Sequence, residues 1–145
     1  MRRSSMFLVA TFLVAAPADA QRLPPAPRAP HVALTQPPSL ELASGDLAVV
    51  RWTTNNPGGL DVHVGIVRYG TDPAHLDHVA RSPIRLNRAH AETTFRVRIT
   101  GLAPHTKYFF DVGSIDSTGR SDELASPTAT FTTVALGERY VAAAR

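Results

Sequence analysis

Short runs of alternating apolar and polar residues extend from residue 31 to residue 133. In the run 93–100, Phe95, Val97 and Ile99 occupy every second position, with Arg96 and Arg98 between them. Successive side chains of a β-strand point to opposite faces, so this period of two predicts half-buried strands. Turn residues separate the runs at intervals of about ten residues. The pattern predicts seven strands, at residues 31–42, 46–54, 62–70, 76–81, 93–100, 107–115 and 127–133.

No run in this region has a helical period, and the spacing of the turns is typical of a β-sandwich. We therefore predict an all-β fold, a seven-stranded antiparallel Greek-key sandwich. Pro37 and Pro38 interrupt the first run, which places that strand at the edge of a sheet because proline has no amide hydrogen to donate.

The first 20 residues have the pattern of a secretory signal peptide. Arg2 and Arg3 precede an apolar run at residues 6–16, and Ala18 and Ala20 flank a cleavage point before Gln21. The apolar run is shorter than the roughly 20 residues that span a bilayer, so we predict no membrane span in the mature chain. The expected location is secreted or periplasmic. Four prolines make residues 21–30 a Pro-rich linker before the domain at residues 31–133.

The composition narrows the possible functions. There is no cysteine, which excludes disulfides, thiolate metal sites and cysteine nucleophiles, so the domain depends on its core alone. Removal of residues 1–20 leaves 13 basic and 11 acidic residues from the 15 and 12 of the whole chain, a net charge of +2. This excess is too small to indicate a nucleic-acid partner.

Three features carry a family resemblance: Trp52 in the second predicted strand, the corner at residues 102–108 (LAPHTKY) and the closing residues 131–133 (FTT). Together they resemble a fibronectin type III domain. An immunoglobulin domain would have a cysteine pair and its tryptophan in the third strand. The resemblance implies that Tyr108 buries its ring and that its hydroxyl bonds backbone upstream. The residues expected to form the structural core are Trp52, Tyr69, Leu102, Pro104, Tyr108 and Phe131.

Residues 67–71 (VRYGT), 108–113 (YFFDVG) and 131–133 (FTT) most resemble the N-terminal domain of purple acid phosphatases. In those enzymes the metals and the catalytic residues lie in a following domain that carries Gly-Asp-x-Gly and Gly-Asn-His motifs. Here the one Gly-Asp pair, Gly45-Asp46, continues as Leu47-Ala48. The resemblance therefore implies a non-catalytic domain with no cofactor.

The histidines were considered as metal ligands. His75 and His78 lie beside Asp72 and Asp77, with His63 and Asp61 on the preceding strand. Positions three apart on a strand point to opposite faces, so His75 and His78 converge only in a helix or a bulge. We predict a polar connecting loop and no metal site. No serine stands in a Gly-x-Ser-x-Gly turn, which also argues against an enzyme.

Arg51, Arg96 and Arg98 are predicted to point outward from neighbouring strands and to form a basic patch. Anionic glycans or lipid headgroups are its candidate partners. The alternative is a solvated face that nearby carboxylates such as Glu41 neutralise.

Val64, Ile66 and Phe109 are predicted to form an apolar stripe on the outer face of the other sheet, because their neighbours in the sequence face inward. An exposed stripe of this kind indicates a protein contact. The alternative is that the C-terminal tail, residues 134–145, folds as a short helix and covers the stripe with Leu136, Tyr140 and Val141.

These features predict an exported, non-catalytic fibronectin type III domain that binds a protein or an envelope glycan. Two other roles stay open. The domain is an accessory module of a purple acid phosphatase-like or glycan-degrading enzyme system, or it is a self-assembling subunit of a surface structure.

Overall fold

The structure is a computed structural model that describes residues 27–142. The predicted signal peptide and residues 21–26 of the linker lie outside the described residues. The described part contains eight strands: β1 (Leu34–Ser44), β2 (Leu47–Asn55), β3 (Val62–Gly70), β4 (His78–Arg85), β5 (Glu92–Thr100), β6 (Lys107–Asp116), β7 (Ala129–Thr132) and β8 (Arg139–Val141). The first seven are the predicted strands, with bounds that differ by a few residues.

Two four-stranded sheets pack face to face, in the orders β5-β2-β1-β8 and β4-β3-β6-β7. Neighbouring strands within each of these sheets pair antiparallel. The chain crosses between the sheets after β2, β4, β5 and β7. The predicted all-β antiparallel sandwich is confirmed. No helix in the described part is long and apolar enough to cross a membrane.

The C-terminal tail is not the short helix considered from the sequence. Its residues Arg139–Val141 form β8, which pairs with Leu42–Ser44 at the end of β1. Consequently β1 is an edge strand only in its first part, where Pro37 and Pro38 stand beside a register shift between Gln36 and Ser39. Since β8 belongs to the sheet of β1, the described part of the tail, residues 134–142, does not cover the outer face of β3 and β6.

Aromatic rings from both sheets form the centre of the core. Trp52 of β2 stacks on Phe95 of β5 with ring centroids 5.2 Å apart, and both rings are at most 1% exposed. Gly65 of β3 faces these two rings. A Cβ atom at this position would lie 3.0 Å from Phe95 and 3.1 Å from Trp52, so the sheets reach this separation because residue 65 has no side chain.

The corner before β6 has the geometry that the resemblance implied. Tyr108 is buried, and its hydroxyl accepts a hydrogen bond of 2.9 Å from the amide of Ala103. Leu102 and Phe131 are buried beside it, and Tyr69 packs against the same cluster. The assignment of Pro104 to the core is wrong. Pro104 is exposed because it occupies the turn, where its carbonyl accepts a hydrogen bond from Thr106 Oγ1 at 2.9 Å.

Truncation of the central ring tests this core. We expect Trp52→Ala to lower the free energy of unfolding by about 3–5 kcal/mol, because it leaves a cavity beside Phe95. Tyr108→Phe keeps the ring and removes only one hydrogen bond, so it should cost about 1 kcal/mol. Denaturant unfolding of both variants measures the difference. Equal losses for the two variants would mean that Trp52 does not hold the centre of the core.

Candidate functional site

The outer face of β3 and β6 carries three neighbouring aliphatic side chains, Val64, Ile66 and Ile115, which we call the aliphatic patch. Val64 lies opposite Ile115 in the register, and Ile66 lies opposite Gly113. All three side chains are half-buried. A Cβ atom at Gly113 would meet nothing within 4 Å, so the sheet is open beside Ile66.

Phe109 points to the same face but does not join the aliphatic patch. It lies opposite Gly70, and the row between it and Ile66 is occupied by Arg68 and Asp111. These two side chains form a two-point ion pair, with 2.7 Å from Arg68 Nε to Asp111 Oδ1 and 2.9 Å from Nη2 to Oδ2. Four residues of strand separate Phe109 from Gly113, about 13 Å. The predicted stripe of Val64, Ile66 and Phe109 is therefore broken by an ion pair.

Phe109 also has a cation above it. Lys107 Nζ lies 5.1 Å from the centroid of the Phe109 ring, which is the geometry of a cation–π contact. The ring is therefore part of a charged area of the sheet, and Ile115 replaces it as the third member of the apolar surface.

Two of the three arginines on the other sheet lie close to one carboxylate, that of Glu41. Arg51 lies opposite Arg96 in the register. Glu41 Oε2 accepts a hydrogen bond of 2.8 Å from Arg96 Nε and lies 4.0 Å from Arg51 Nε. Arg98 is one row away, opposite Val49, and makes no ion pair with another described residue. A single carboxylate thus serves two of the three cations of the predicted basic patch.

The histidines considered as metal ligands lie apart. His75 Nδ1 is 3.0 Å from Asp72 Oδ2, and this bond is the main reason that the pKa of His75 is raised. The ring of His78 contacts that of Tyr69 in a tilted arrangement, with the ring centroids 5.3 Å apart, whereas His63 is fully buried. Within residues 27–142, no three side chains of His, Asp or Glu gather in a group that could hold a metal ion.

A buried charged cluster lies where β3 and β6 meet the loops at one end of the sandwich. Asp122, in the loop between β6 and β7, has a fully buried side chain. Its Oδ2 accepts hydrogen bonds from Ser114 Oγ at 2.7 Å and from His63 Nδ1 at 2.9 Å. Its Oδ1 accepts one from Arg28 Nη2 at 2.9 Å. Four segments of the chain therefore converge on this carboxylate.

A second carboxylate completes the charged cluster. Asp116 Oδ2 accepts a hydrogen bond of 3.1 Å from Arg28 Nη1. Its Oδ1 accepts bonds from the hydroxyl and the amide of Thr118 and from the amide of Arg120. The Thr118 hydroxyl is the largest of the influences that lower the pKa of Asp116 to about 2. The cluster thus contains two carboxylates and the guanidinium of Arg28, with His63 beside them.

The pKa values of His63 and Asp122 follow from their contact. Burial, the largest influence on each, acts to lower the pKa of His63 and to raise that of Asp122. The hydrogen bond and the charge that each supplies to the other oppose burial, and they act together with Gly58 and Asp116 on His63 and with Ser114 and Arg28 on Asp122. The pKa of His63 is therefore raised above its ordinary value, and the pKa of Asp122 is lowered.

The cluster does not have the arrangement of a catalytic triad. Ser114 donates its hydroxyl hydrogen to Asp122 and not to His63. The second nitrogen of His63, Nε2, faces the carbonyl oxygen of Gly58 at 3.1 Å. Activation of a serine needs a histidine that accepts the hydroxyl hydrogen, so this serine is a structural hydrogen-bond donor.

Part of the predicted linker is docked on the sandwich through this cluster. Arg28 bonds both carboxylates and the carbonyl of Ser121, and the amide of Ala29 donates to the carbonyl of Pro57 at 2.8 Å. The carbonyl oxygen of Pro27 also lies so close to Gly58 that a Cβ atom there would be 2.0 Å away. The boundary that we predicted at residue 31 is therefore too late, because residues 27–29 are part of the folded unit.

Comparison with known families gives one assignment. The sequence profile of the purple acid phosphatase N-terminal domain matches residues 27–133, which is most of the chain. The chain belongs to this family. The match begins at Pro27, beside the docked Arg28. A search of curated proteins finds no match.

Solved structures similar to this member of the purple acid phosphatase N-terminal family include two kinds of domain. The sensor domain of the anti-sigma factor RsgI4 of Pseudobacteroides cellulosolvens is 22% identical, with a TM-score of 0.47, and the match covers 79% of this chain and 98% of that domain. A fibronectin III domain of human contactin 1 is 19% identical, with a TM-score of 0.44, and the match covers 83% of this chain and 92% of that one.

The charged cluster is not among the features predicted from the sequence, although the strand phases contain a signal for it. His63 is in phase with the inward-facing Gly65 and Val67, and Ser114 and Asp116 are in phase with the inward Phe110 and Val112. Polar residues at inward positions of two paired strands indicate a buried polar contact. Arg28 gives no such signal, because 94 residues separate it from Asp122.

Removal of Arg28 tests the charged cluster in this purple acid phosphatase N-terminal domain. We expect Arg28→Ala to lower the free energy of unfolding by roughly 2–4 kcal/mol, because Asp122 stays buried with one cationic partner fewer. The lowered pKa values of Asp116 and Asp122 stabilise the fold above about pH 4, and this stability is lost as the pH falls through those lowered values, which for Asp116 is about 2. In the variant both pKa values rise, so acid unfolding should begin at a higher pH.

Arg68→Ala is the matched control, since Arg68 pairs with Asp111 on the surface and is 57% exposed. Its loss should be less than about 1 kcal/mol. Denaturant unfolding between pH 2 and pH 7 compares the two variants. An Arg28→Ala protein with the acid unfolding midpoint of the wild type would contradict the role of Arg28.

Proposed function

We propose that this chain is an exported, non-catalytic protein-binding module, and that it binds its partner through the aliphatic patch. The supporting observation is the position of Val64, Ile66 and Ile115, three branched aliphatic side chains on the outer face of one sheet. The C-terminal strand β8 belongs to the other sheet, so this strand does not cover the face. The signal-like pattern of residues 1–20 supports export.

The surroundings of the aliphatic patch favour a protein over an anionic partner. Across the sheet, Arg81 of β4 lies opposite Ile66. Along β3 and β6, the next outward-facing row after Ile66 is the Arg68–Asp111 ion pair. An apolar centre with a charged rim is the usual composition of a protein interface. The basic patch offers less for an anion, because Glu41 accepts a hydrogen bond from Arg96 and lies near Arg51.

The non-catalytic assignment is supported by the chemistry of the buried cluster. The serine and the histidine both donate to Asp122, and His63 is inaccessible to a substrate because its side chain is fully buried. A histidine in this position cannot act as a general base for a bound substrate.

Membership of the purple acid phosphatase N-terminal family favours a second function, that of an accessory module for a phosphatase domain. In that role the aliphatic patch contacts the catalytic domain. Cross-linking to a metallophosphatase would identify this role. Concentration-dependent oligomers of the protein alone would instead indicate a self-assembling subunit.

Site-specific photo-cross-linking tests the proposed function. We expect a photoreactive amino acid at Ile66 to give a discrete protein adduct in cells that make the protein. The same group at Arg51, on the opposite sheet, is the control and should give none. An excess of unlabelled protein should compete for the adduct, whereas an excess of the Ile66→Asp variant should not, because a carboxylate in an apolar contact is costly to desolvate.

Thermal unfolding of Ile66→Asp provides the control for folding. Because Ile66 is half-buried on an outer face, its replacement should cost less than about 1.5 kcal/mol. The proposal is wrong if no discrete adduct forms at position 66. It is also wrong if the folded Ile66→Asp variant competes as well as the wild type.

A further inference from the structure

His63 joins two loops at one end of the sandwich. Its Nδ1 lies 2.9 Å from Asp122 Oδ2, in the loop between β6 and β7. Its Nε2 lies 3.1 Å from the carbonyl oxygen of Gly58, in the loop between β2 and β3. The ring is fully buried, so water cannot replace either partner without movement of a loop.

Both partners of His63 are hydrogen-bond acceptors. A protonated imidazole has two N–H groups and can donate to both, whereas a neutral imidazole has only one. The carboxylate of Asp122 is the stronger acceptor because it is charged. A neutral His63 therefore keeps its hydrogen on Nδ1, and the lone pair of Nε2 then faces the lone pairs of the Gly58 oxygen.

We propose that His63 is a pH-sensitive tie between the two loops: when its ring is protonated, it donates one hydrogen bond to each of them. The charged ring holds Gly58 and Asp122 together, and loss of its proton releases the loop between β2 and β3. This inference does not depend on the proposed protein-binding function, because the aliphatic patch is a separate surface.

The charged groups around His63 favour its protonated form, because positive and negative charges in the cluster are equal only when His63 is charged. Asp122 and Asp116 face it from the loop after β6 and from β6, and Arg28 faces the same carboxylates from the N-terminal segment. Its neighbour on β4 in the register is Ile84, which is apolar. With His63 charged, two cations match two carboxylates. Asp61, two residues before His63 in the sequence, forms an ion pair with Arg88.

The direction of the pH effect follows from the raised pKa of His63. A group whose pKa is higher in the folded state stabilises that state below its unfolded value, about 6.5. This stabilisation is lost as the pH rises through the folded-state pKa. The tie is thus complete in mildly acidic solution and is lost on the alkaline side of the titration.

Two amides report on the released loop. The amide of Ala29 donates to the carbonyl of Pro57, and the amide of Gly58 donates to Asn56 Oδ1 at 3.0 Å. The Ala29 bond joins the N-terminal segment to the β2–β3 loop, and the Gly58 bond lies within that loop. The amide of Leu102, which donates to the carbonyl of Asp46 at 3.0 Å, lies in another part of the fold and serves as the reference.

Two NMR measurements on the protein test the proposal. The ring resonances of His63 give its pKa, which should lie above 6.5. Amide hydrogen exchange, corrected for the intrinsic effect of pH on exchange, should show protection of Ala29 and Gly58 falling by about tenfold or more through that titration. Protection of Leu102 should stay constant.

His63→Gln should abolish the pH dependence at Ala29 and Gly58. His75→Gln is the matched control, because it removes an exposed histidine whose pKa is also raised, and it should behave as the wild type. If His63→Gln does not fold, the wild-type titration still decides. A His63 that is neutral below pH 6.5, or Ala29 and Gly58 amides that follow Leu102 through the titration, would overturn the proposal.

Discussion

The loop end of this sandwich depends on the hydrogen bonds that the buried carboxylate of Asp122 accepts. A charged group without access to water needs compensating partners, and each hydrogen bond to it is stronger for the charge. The partners come from the N-terminal segment, from β3 and from β6. One side chain therefore sets the position of Arg28, the ring orientation of His63 and, through that ring, the position of Gly58.

The chain has no cysteine, so disulfides do not stabilise the fold. The core and the charged cluster stabilise different parts of it. Near the middle of the sandwich, Trp52 and Phe95 pack over Gly65 and fix the distance between the sheets. At one end, Asp122 and its partners hold the loops and the N-terminal segment. The outer face of β3 and β6 takes part in neither, which leaves the aliphatic patch available for a contact with another molecule.

The strands were predictable because their period of two is set by burial on one face, as in the alternation of Phe95, Val97 and Ile99. The corner at Tyr108 was predictable because its local sequence forms its own hydrogen bond. The alternation of inward and outward residues placed Phe109 and Ile66 on the same face, but it did not predict how far apart they lie along the strands. That separation depends on the register of β3 against β6, which puts Arg68 and Asp111 between them.

Strand β8 and the contacts of Arg28 could not be predicted from the sequence, for different reasons. Strand β8 has three residues, all exposed, so no burial pattern distinguishes it, and its place follows from backbone pairing with β1. Arg28 is far in sequence from both of its carboxylates, and it lies in a segment whose prolines are typical of a linker. The charged cluster thus depends on contacts that form only in the folded chain.

The unfolding free energies of Asp122→Asn and Asp111→Asn test the role of the buried carboxylate most directly. Both aspartates accept a hydrogen bond from an arginine. The side chain of Asp122 is fully buried, whereas that of Asp111 is 18% exposed. We expect a loss of about 3–5 kcal/mol for Asp122→Asn and less than about 1 kcal/mol for Asp111→Asn at pH 6. Equal small losses in the two variants would contradict the account, because they would show that the loop end does not depend on Asp122.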